Sequence, residues 1–179
     1  MHVSCKEKDD VVEPPIYCNN PNYDFQGLVH SLIKSGYTDK ITMDVEVHEY
    51  SFTLTANKEV CMIGYQSQPT IAGNAYTIEV LNDSNGTVLY SGSHVFSSTQ
   101  TSYVVPNSVI NLKSGTSYTV RRIQTNYTKF RDIIGRLVFT DTMNFPYSNG
   151  IMTITTSDFY GSGGPATNSA IPYIDLIFN

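Results

Sequence analysis

Three side chains that often bind cations fall on alternate positions of one predicted strand, residues 40–48. Asp44, Glu46 and His48 would share one face of this strand, because successive side chains of a strand point to opposite faces. Residues four positions apart on a strand are separated by about 13 Å, so one ion cannot contact all three side chains. The spacing predicts the solvent-exposed face of a sheet, and we expect no metal site.

Catalytic chemistry has little support in the residue pattern. The 4 histidines lie outside any known nucleophile or zinc-protease motif, and the chain has no Gly-x-Ser-x-Gly, His-Glu-x-x-His or phosphate-binding loop pattern. A glycan hydrolase needs two carboxylates about 5 to 10 Å apart. A pair such as Glu79 with Asp175 keeps a hydrolase open as a lesser alternative. We expect a protein that is not an enzyme and has no cofactor.

The longer predicted loops, 125–132, 141–150 and 158–166, carry the residues most suited to ligand binding. Tyrosine, arginine and asparagine provide stacking and adaptable hydrogen bonds of the kind that hold sugars. The candidate ligand-binding residues are Tyr127, Arg131, Tyr147 and Tyr160. The alternative is that these aromatic side chains cap the open ends of a sandwich.

Two cysteines, Cys18 and Cys61, lie far apart in the sequence. In an oxidising compartment they could pair, closing a loop of about 40 residues and stabilising the fold by about 3 to 4 kcal/mol. The alternative is that Cys61, which lies within an apolar stretch, is a small buried apolar residue. No cysteine and histidine spacing typical of zinc occurs.

The charge composition excludes one class of partner. The chain has 179 residues, of which 16 are acidic and 11 basic, for a formal charge of -5. No positive field is therefore available to bind nucleic acid. The 40% apolar content is that of a folded globular chain. No apolar run reaches the ~20 residues of a membrane helix.

One segment has the period of a helix, residues 24–36. Phe25, Leu28, Val29, Leu32 and Ile33 form the apolar stripe of an amphipathic helix. Asp24 is placed to accept from the free N–H groups of the first turn, and Gly36 to take the left-handed position after the last turn. We expect this helix to pack on the rest of the domain.

After the helix the apolar pattern changes to a period of two, with turn residues every 8 to 15 positions. Asn82 to Gly86 predicts a hairpin turn between two of these strands. The pattern predicts an antiparallel β-sandwich, jelly-roll-like, in a single domain over residues 21–179. The predicted strands are about 40–48, 50–56, 59–66, 75–82, 86–91, 101–105, 117–124, 136–140, 150–156 and 171–178.

At the N-terminus, Ser4 precedes Cys5, and a charged run over 6–10 and two prolines follow. This order resembles the start of mature surface lipoproteins of the Bacteroidetes group. The resemblance implies that Cys5 carries the lipid, that residues 1–20 form a tether, and that the protein is extracytoplasmic, anchored to the outer membrane or cell surface. The lipid would then be its only link to a membrane. The alternative is a charged terminus with an incidental cysteine.

Four phrases carry a second resemblance: 60–65, 88–92, 112–120 and 171–178. They are similar to the jelly-roll modules of an uncharacterised bacterial extracellular class, the DUF4082-like domains, and more distantly to PHR-type sandwiches. The resemblance implies adhesion or contact with a glycan or a surface protein, without catalysis. A structural accessory subunit of an envelope assembly, which docks through a sheet edge or helix face, is the alternative.

Overall fold

A computed structural model describes residues 18–43, 46–125, 134–161 and 165–179. These residues form a mainly antiparallel β-sandwich with one α-helix, as the sequence pattern predicts. The elements are α1 (Asp24–Lys34), β1 (Thr38–Met43), β2 (Val47–Leu54), β3 (Lys58–Tyr65), a short 3-10 helix (Pro69–Ile71), β4 (Ala75–Asn82), β5 (Thr87–Val95), β6 (Ser102–Val104), β7 (Ile110–Leu112), β8 (Ser117–Gln124), β9 (Ile134–Phe139), β10 (Tyr147–Asn149), β11 (Met152–Tyr160), β12 (Ile171–Pro172) and β13 (Asp175–Phe178).

The largest sheet has six strands in the order β10-β11-β2-β8-β4-β5. Burial alternates along β2 and β8, with every second side chain directed to the core. Such alternation is typical of an antiparallel sheet with one buried and one solvated face. The hairpin predicted at Asn82 to Gly86 joins β4 to β5, and Gly86 has the positive φ of 69° that such a turn requires.

The second sheet, β13-β3-β6, packs on the inner face of the first, and β7 extends the pairing of β3. Phe52 and Phe178 contact each other across the two sheets, with ring centroids 6.5 Å apart. Tyr65 and Tyr76 make a second contact between the sheets, at 5.2 Å. A third sheet, β1-β9-β12, lies beside them. Aromatic side chains from both main sheets thus meet in the core, among many aliphatic ones.

The predicted helix is confirmed, and it ends at Lys34. Gly36 has φ of 94°, and the N–H groups of Gly36 and Tyr37 donate to Ile33 and Leu32, which closes the last turn as expected. The prediction for Asp24 is wrong. Asn22 Oδ1 accepts from the Asp24 N–H at 3.0 Å, whereas the Asp24 carboxylate is buried and bonds to the backbone of Ile151.

The prediction that His48 lies on a solvated face is wrong, since His48 is fully buried. The predicted strand 40–48 is in fact the end of β1 and the start of β2, so the inward alternation of β2 begins at His48 and continues through Tyr50. The imidazole packs edge-on against Phe159, at 4.9 Å, and lies over Gly135. Glu46 is exposed, and Asp44 lies outside the described residues.

Cys18 and Cys61 form a disulfide across 43 positions of sequence. The bridge joins the segment before α1 to strand β3. The same segment is held by backbone hydrogen bonds between Asn22 and Phe178 and by the Asn19 N–H, which donates to Asn179 Oδ1. Within the described residues, no helix has the length and apolar character needed to cross a membrane.

Candidate functional site

A small cavity lies where the start of α1 meets strands β3, β6 and β13. Its volume is about 150 Å³, and it is lined by Tyr23, Gln26, Met62, Tyr103 and Ile177. Two of its walls are tyrosine rings that are well exposed, Tyr23 at 52% and Tyr103 at 40%. We call this cavity the Tyr23–Tyr103 pocket. It combines an apolar floor with a few polar groups, which is the usual composition of a small-ligand site.

A row of three paired residues across the second sheet positions Tyr103, one of the lining residues. Gly64 of β3 pairs with Asp175 of β13 on one side and with Tyr103 of β6 on the other. A Cβ at position 64 would collide with the Tyr103 ring. Because the glycine has no side chain, the Tyr103 ring lies across β3 and its hydroxyl donates to Asp175 Oδ2 at 2.7 Å. The bond spans two strand spacings.

Gln26, on the first turn of α1, completes this network. Its Nε2 donates to Asp175 Oδ2 and to the Tyr103 hydroxyl oxygen, both at 2.9 Å. Asp175 itself is completely buried, and its Oδ1 has no hydrogen-bond partner among the described residues. The pocket therefore has a buried carboxylate directly behind two of its lining side chains.

Burial raises the pKa of Asp175, and the hydrogen bonds from Tyr103 and Gln26 and the positive charge of Arg136 oppose that rise. Burial and the bond to Asp175 raise the pKa of the Tyr103 hydroxyl, which stays protonated at physiological pH. Arg136 forms its side-chain ion pair with Asp39. Its Nε and Nη2 donate to both carboxylate oxygens of Asp39, at 2.9 and 2.6 Å, and its guanidinium stacks on Tyr173.

The raised pKa of Asp175 predicts a pH-dependent stability difference between the wild type and Asp175→Asn. A buried acid with a raised pKa destabilises the fold most when it is ionised, and the cost is lost as pH falls through the raised pKa. Asparagine removes the charge and keeps an acceptor for Tyr103 and Gln26. We expect Asp175→Asn to melt at a higher temperature than the wild type near pH 7, with the difference shrinking toward about pH 4.

Melting followed by circular dichroism at several pH values measures this difference. The pKa of His94, which burial lowers, affects both proteins equally and cancels. A difference that stays constant with pH, or grows as pH falls, contradicts the prediction.

The residues predicted from the loops do not form the Tyr23–Tyr103 pocket. Tyr147 is buried in β10, because its ring packs against Tyr37 and Phe145 and its hydroxyl accepts from the Asn144 N–H. It therefore belongs to the core, as in the alternative of a capped sandwich end. Tyr127 and Arg131 lie outside the described residues, and their role as ligand contacts stays a prediction.

Tyr160 is half-exposed at the end of β11, and its hydroxyl bonds to Glu49 and Asp158. Glu49 and Asp158 belong to a row of charged side chains across the outer face of the large sheet. In the strand register, Asp158 lies opposite Glu49, Glu49 opposite Arg121, and Arg121 opposite Glu79. Burial raises the pKa of Glu49, and the bond from Tyr160 opposes that rise.

The structure places Glu79 and Asp175 on different sheets. Glu79 forms an ion pair with Arg121 at 2.6 Å on the large sheet, whereas Asp175 is buried in the second sheet. In addition, the part of the chain that the structure describes brings together no three side chains that could hold a metal ion.

Sequence reasoning did not find the pocket residues. One available indication was Asp175, the only charged residue in the otherwise apolar stretch 171–178. A lone carboxylate within a buried strand needs hydrogen-bond donors from other elements.

The chain matches no protein-family model and no curated protein. What the pocket can do chemically follows from its geometry: it can hold one ring-sized group by stacking and hydrogen bonding.

Proposed function

We propose that this chain is the noncatalytic binding module of a lipid-anchored bacterial surface protein, and that the Tyr23–Tyr103 pocket receives one ring of a glycan. The main support is the pair of exposed tyrosine rings on the walls of a cavity of about 150 Å³. Pockets for drug-sized ligands measure roughly 300 to 1,000 Å³. The cavity here has half the volume at the lower end of that range, which suits a single sugar ring whose apolar face stacks on tyrosine.

Two further observations favour binding over hydrolysis at this position. Among the described residues no carboxylate lines the pocket, and the one behind it, Asp175, is fully buried. Glycan hydrolysis requires two carboxylates that flank the scissile bond.

The Cys18–Cys61 disulfide is typical of oxidising, extracytoplasmic compartments and supports the proposed location. The lipid-attachment residue of the proposal, Cys5, lies outside the described residues.

Replacing Tyr103 with alanine tests this proposal, with Tyr160→Ala as the matched control. Both tyrosines are exposed, but only Tyr103 lines the pocket. After a ligand has been found on a glycan array, we expect Tyr103→Ala to weaken its binding at least tenfold in calorimetry, about 1.4 kcal/mol. Tyr160→Ala should bind as the wild type does.

Equal binding by Tyr103→Ala and the wild type would overturn the pocket assignment. If Tyr160→Ala alone lost affinity, the ligand site would instead lie in the loop region predicted from the sequence. Melting curves of both variants establish that each is folded.

An accessory subunit that docks on a neighbouring protein is the second candidate, and strand β5 favours it. Within the described ranges β5 pairs only with β4, so it forms an edge of the large sheet. Residues 84–112 contain no Asp, Glu, Lys or Arg, and Val88 and Val95 of β5 are exposed. Charged side chains are a common protection of such edges. Under this candidate, the protein binds no glycan and co-purifies with a partner from envelope extracts.

A further inference from the structure

The hydrogen-bond donors of Gln26 and Tyr103, two residues that line the Tyr23–Tyr103 pocket, are already used within the protein. An amide nitrogen carries two hydrogens, and Gln26 Nε2 uses both, one toward Asp175 and one toward Tyr103. The Tyr103 hydroxyl hydrogen is also used by Asp175. Gln26 Oε1, the remaining lone pair of the Tyr103 oxygen and the Met62 sulfur are acceptors. Apart from the rotatable Tyr23 hydroxyl, the side chains of the lining offer a ligand acceptors alone.

The charges around the pocket also favour a ligand that donates hydrogen bonds and carries a positive charge. In the described part of the chain no basic side chain lines the pocket, and the cation nearest to Asp175 in its network, Arg136, is held by both oxygens of Asp39. Asp175 has one buried oxygen without a partner among the same residues. Because the Asp175 carboxylate is buried, its charge is less screened than it would be in water, so it attracts a cation and repels an anion more strongly.

The aromatic walls add to this preference. The faces of tyrosine rings carry negative partial charge and attract ammonium groups placed over them. Tyr23 and Tyr103 supply two such rings at the mouth of the pocket, and none of the five lining side chains is a cation that would compete with a ligand for them.

We propose, on the basis of the glycan-binding function above, that the Tyr23–Tyr103 pocket selects an amino sugar, whose ammonium group donates to the acceptor atoms of Gln26 and Tyr103. The negative charge of Asp175, buried behind these two side chains, would determine this specificity. An ammonium has three donors and no acceptor, which complements a lining of acceptors. A hydroxyl in its place donates one hydrogen bond and brings no charge. An acetamido group brings a carbonyl acceptor, and a carboxylate or sulfate brings a charge of the wrong sign.

Glucosamine, N-acetylglucosamine and glucose test the proposal, because they share one ring and differ at one substituent. Calorimetric titration of the full chain near neutral pH should give a dissociation constant for glucosamine at least tenfold lower than for the other two sugars. In Asp175→Asn, we expect the three dissociation constants to fall within about threefold of one another. Asp158→Asn, which removes a carboxylate from the opposite sheet, should keep the wild-type preference.

The outcomes separate the two proposals. Equal affinity of the wild type for the three sugars, lost in Tyr103→Ala, overturns the selection of an ammonium group and leaves the glycan site in place. A preference for glucosamine that survives in Asp175→Asn overturns the role of Asp175. If none of the three sugars binds, the amino-sugar proposal is overturned. If, in addition, the ligands found on the glycan array bind Tyr103→Ala as tightly as the wild type, the assignment of the glycan site to this pocket is overturned as well. The comparison of the three sugars in the wild type tests the amino-sugar proposal even if a variant does not fold.

Discussion

Replacing Phe25 with alanine is expected to lower the free energy of unfolding by about 3 to 5 kcal/mol. Phe25 is fully buried at the start of α1, where its ring stacks on Tyr50 at 5.7 Å and meets Tyr173 edge-on at 5.2 Å. Alanine leaves a cavity between the helix and both neighbours. Urea unfolding followed by circular dichroism measures the loss.

The same substitution should weaken ligand binding, because the next residue, Gln26, holds Asp175 and Tyr103 in place. Ile33→Ala is the matched control: Ile33 is on the same helix but 43% exposed, and its replacement should change stability by about 0.5 kcal/mol or less beyond helix propensity. A loss for Phe25→Ala no larger than that for Ile33→Ala would contradict the packing of α1 against Tyr50 and Tyr173.

Removing the disulfide by Cys18→Ala should have an effect of similar size. The bridge closes a loop between positions separated by 43 residues, and the chain-entropy model gives about 4 kcal/mol for a loop of that length. For a chain of this size, each kcal/mol lowers the melting temperature by about 2 to 4 °C, so we expect a fall of roughly 8 to 16 °C. Cys18 is the better position to change, because Cys61 is fully buried and its side chain fills the core.

A reducing agent provides the control for this variant. It should lower the melting temperature of the wild type toward that of Cys18→Ala and leave the variant unchanged. If the wild type melts at the same temperature with and without reducing agent while the thiols of Cys18 and Cys61 are both detected as free, the bridge contributes no stability.

The elements that could be predicted from the sequence are those set by local patterns. The helix follows from five apolar residues at helical spacing, and the β4–β5 hairpin follows from the turn residues between two alternating segments. The solvated face predicted for His48 is wrong because β2 begins at Val47, so the face of His48 is set by the alternation of β2 and not by the residues before Glu46. Periodicity alone does not reveal where a strand begins.

The pocket could not be predicted in this way. Gln26, Tyr103 and Asp175 are separated by 77 and 72 positions of sequence. The pairing of three strands through Gly64 brings Tyr103 to Asp175, and the position of helix α1 brings Gln26 to both. Strand register across a sheet depends on packing of the whole core, so a single sequence shows these residues as unrelated. The disulfide is a comparable case, since two distant cysteines are compatible with pairing or with simple burial.

The disulfide also bears on how the domain would respond to mechanical force. If the chain is held through the residues before Cys18, as proposed, a pull on a bound ligand puts the domain under tension between the tether and the pocket. Cys61 adjoins Met62, which lines the pocket. Load on Met62 therefore passes from the tether through a covalent bond into β3, whereas load on Gln26 passes through helix α1. If the protein is an adhesion domain, as proposed, we expect the bridge to keep the segment before α1 joined to β3 while the ligand bears the force.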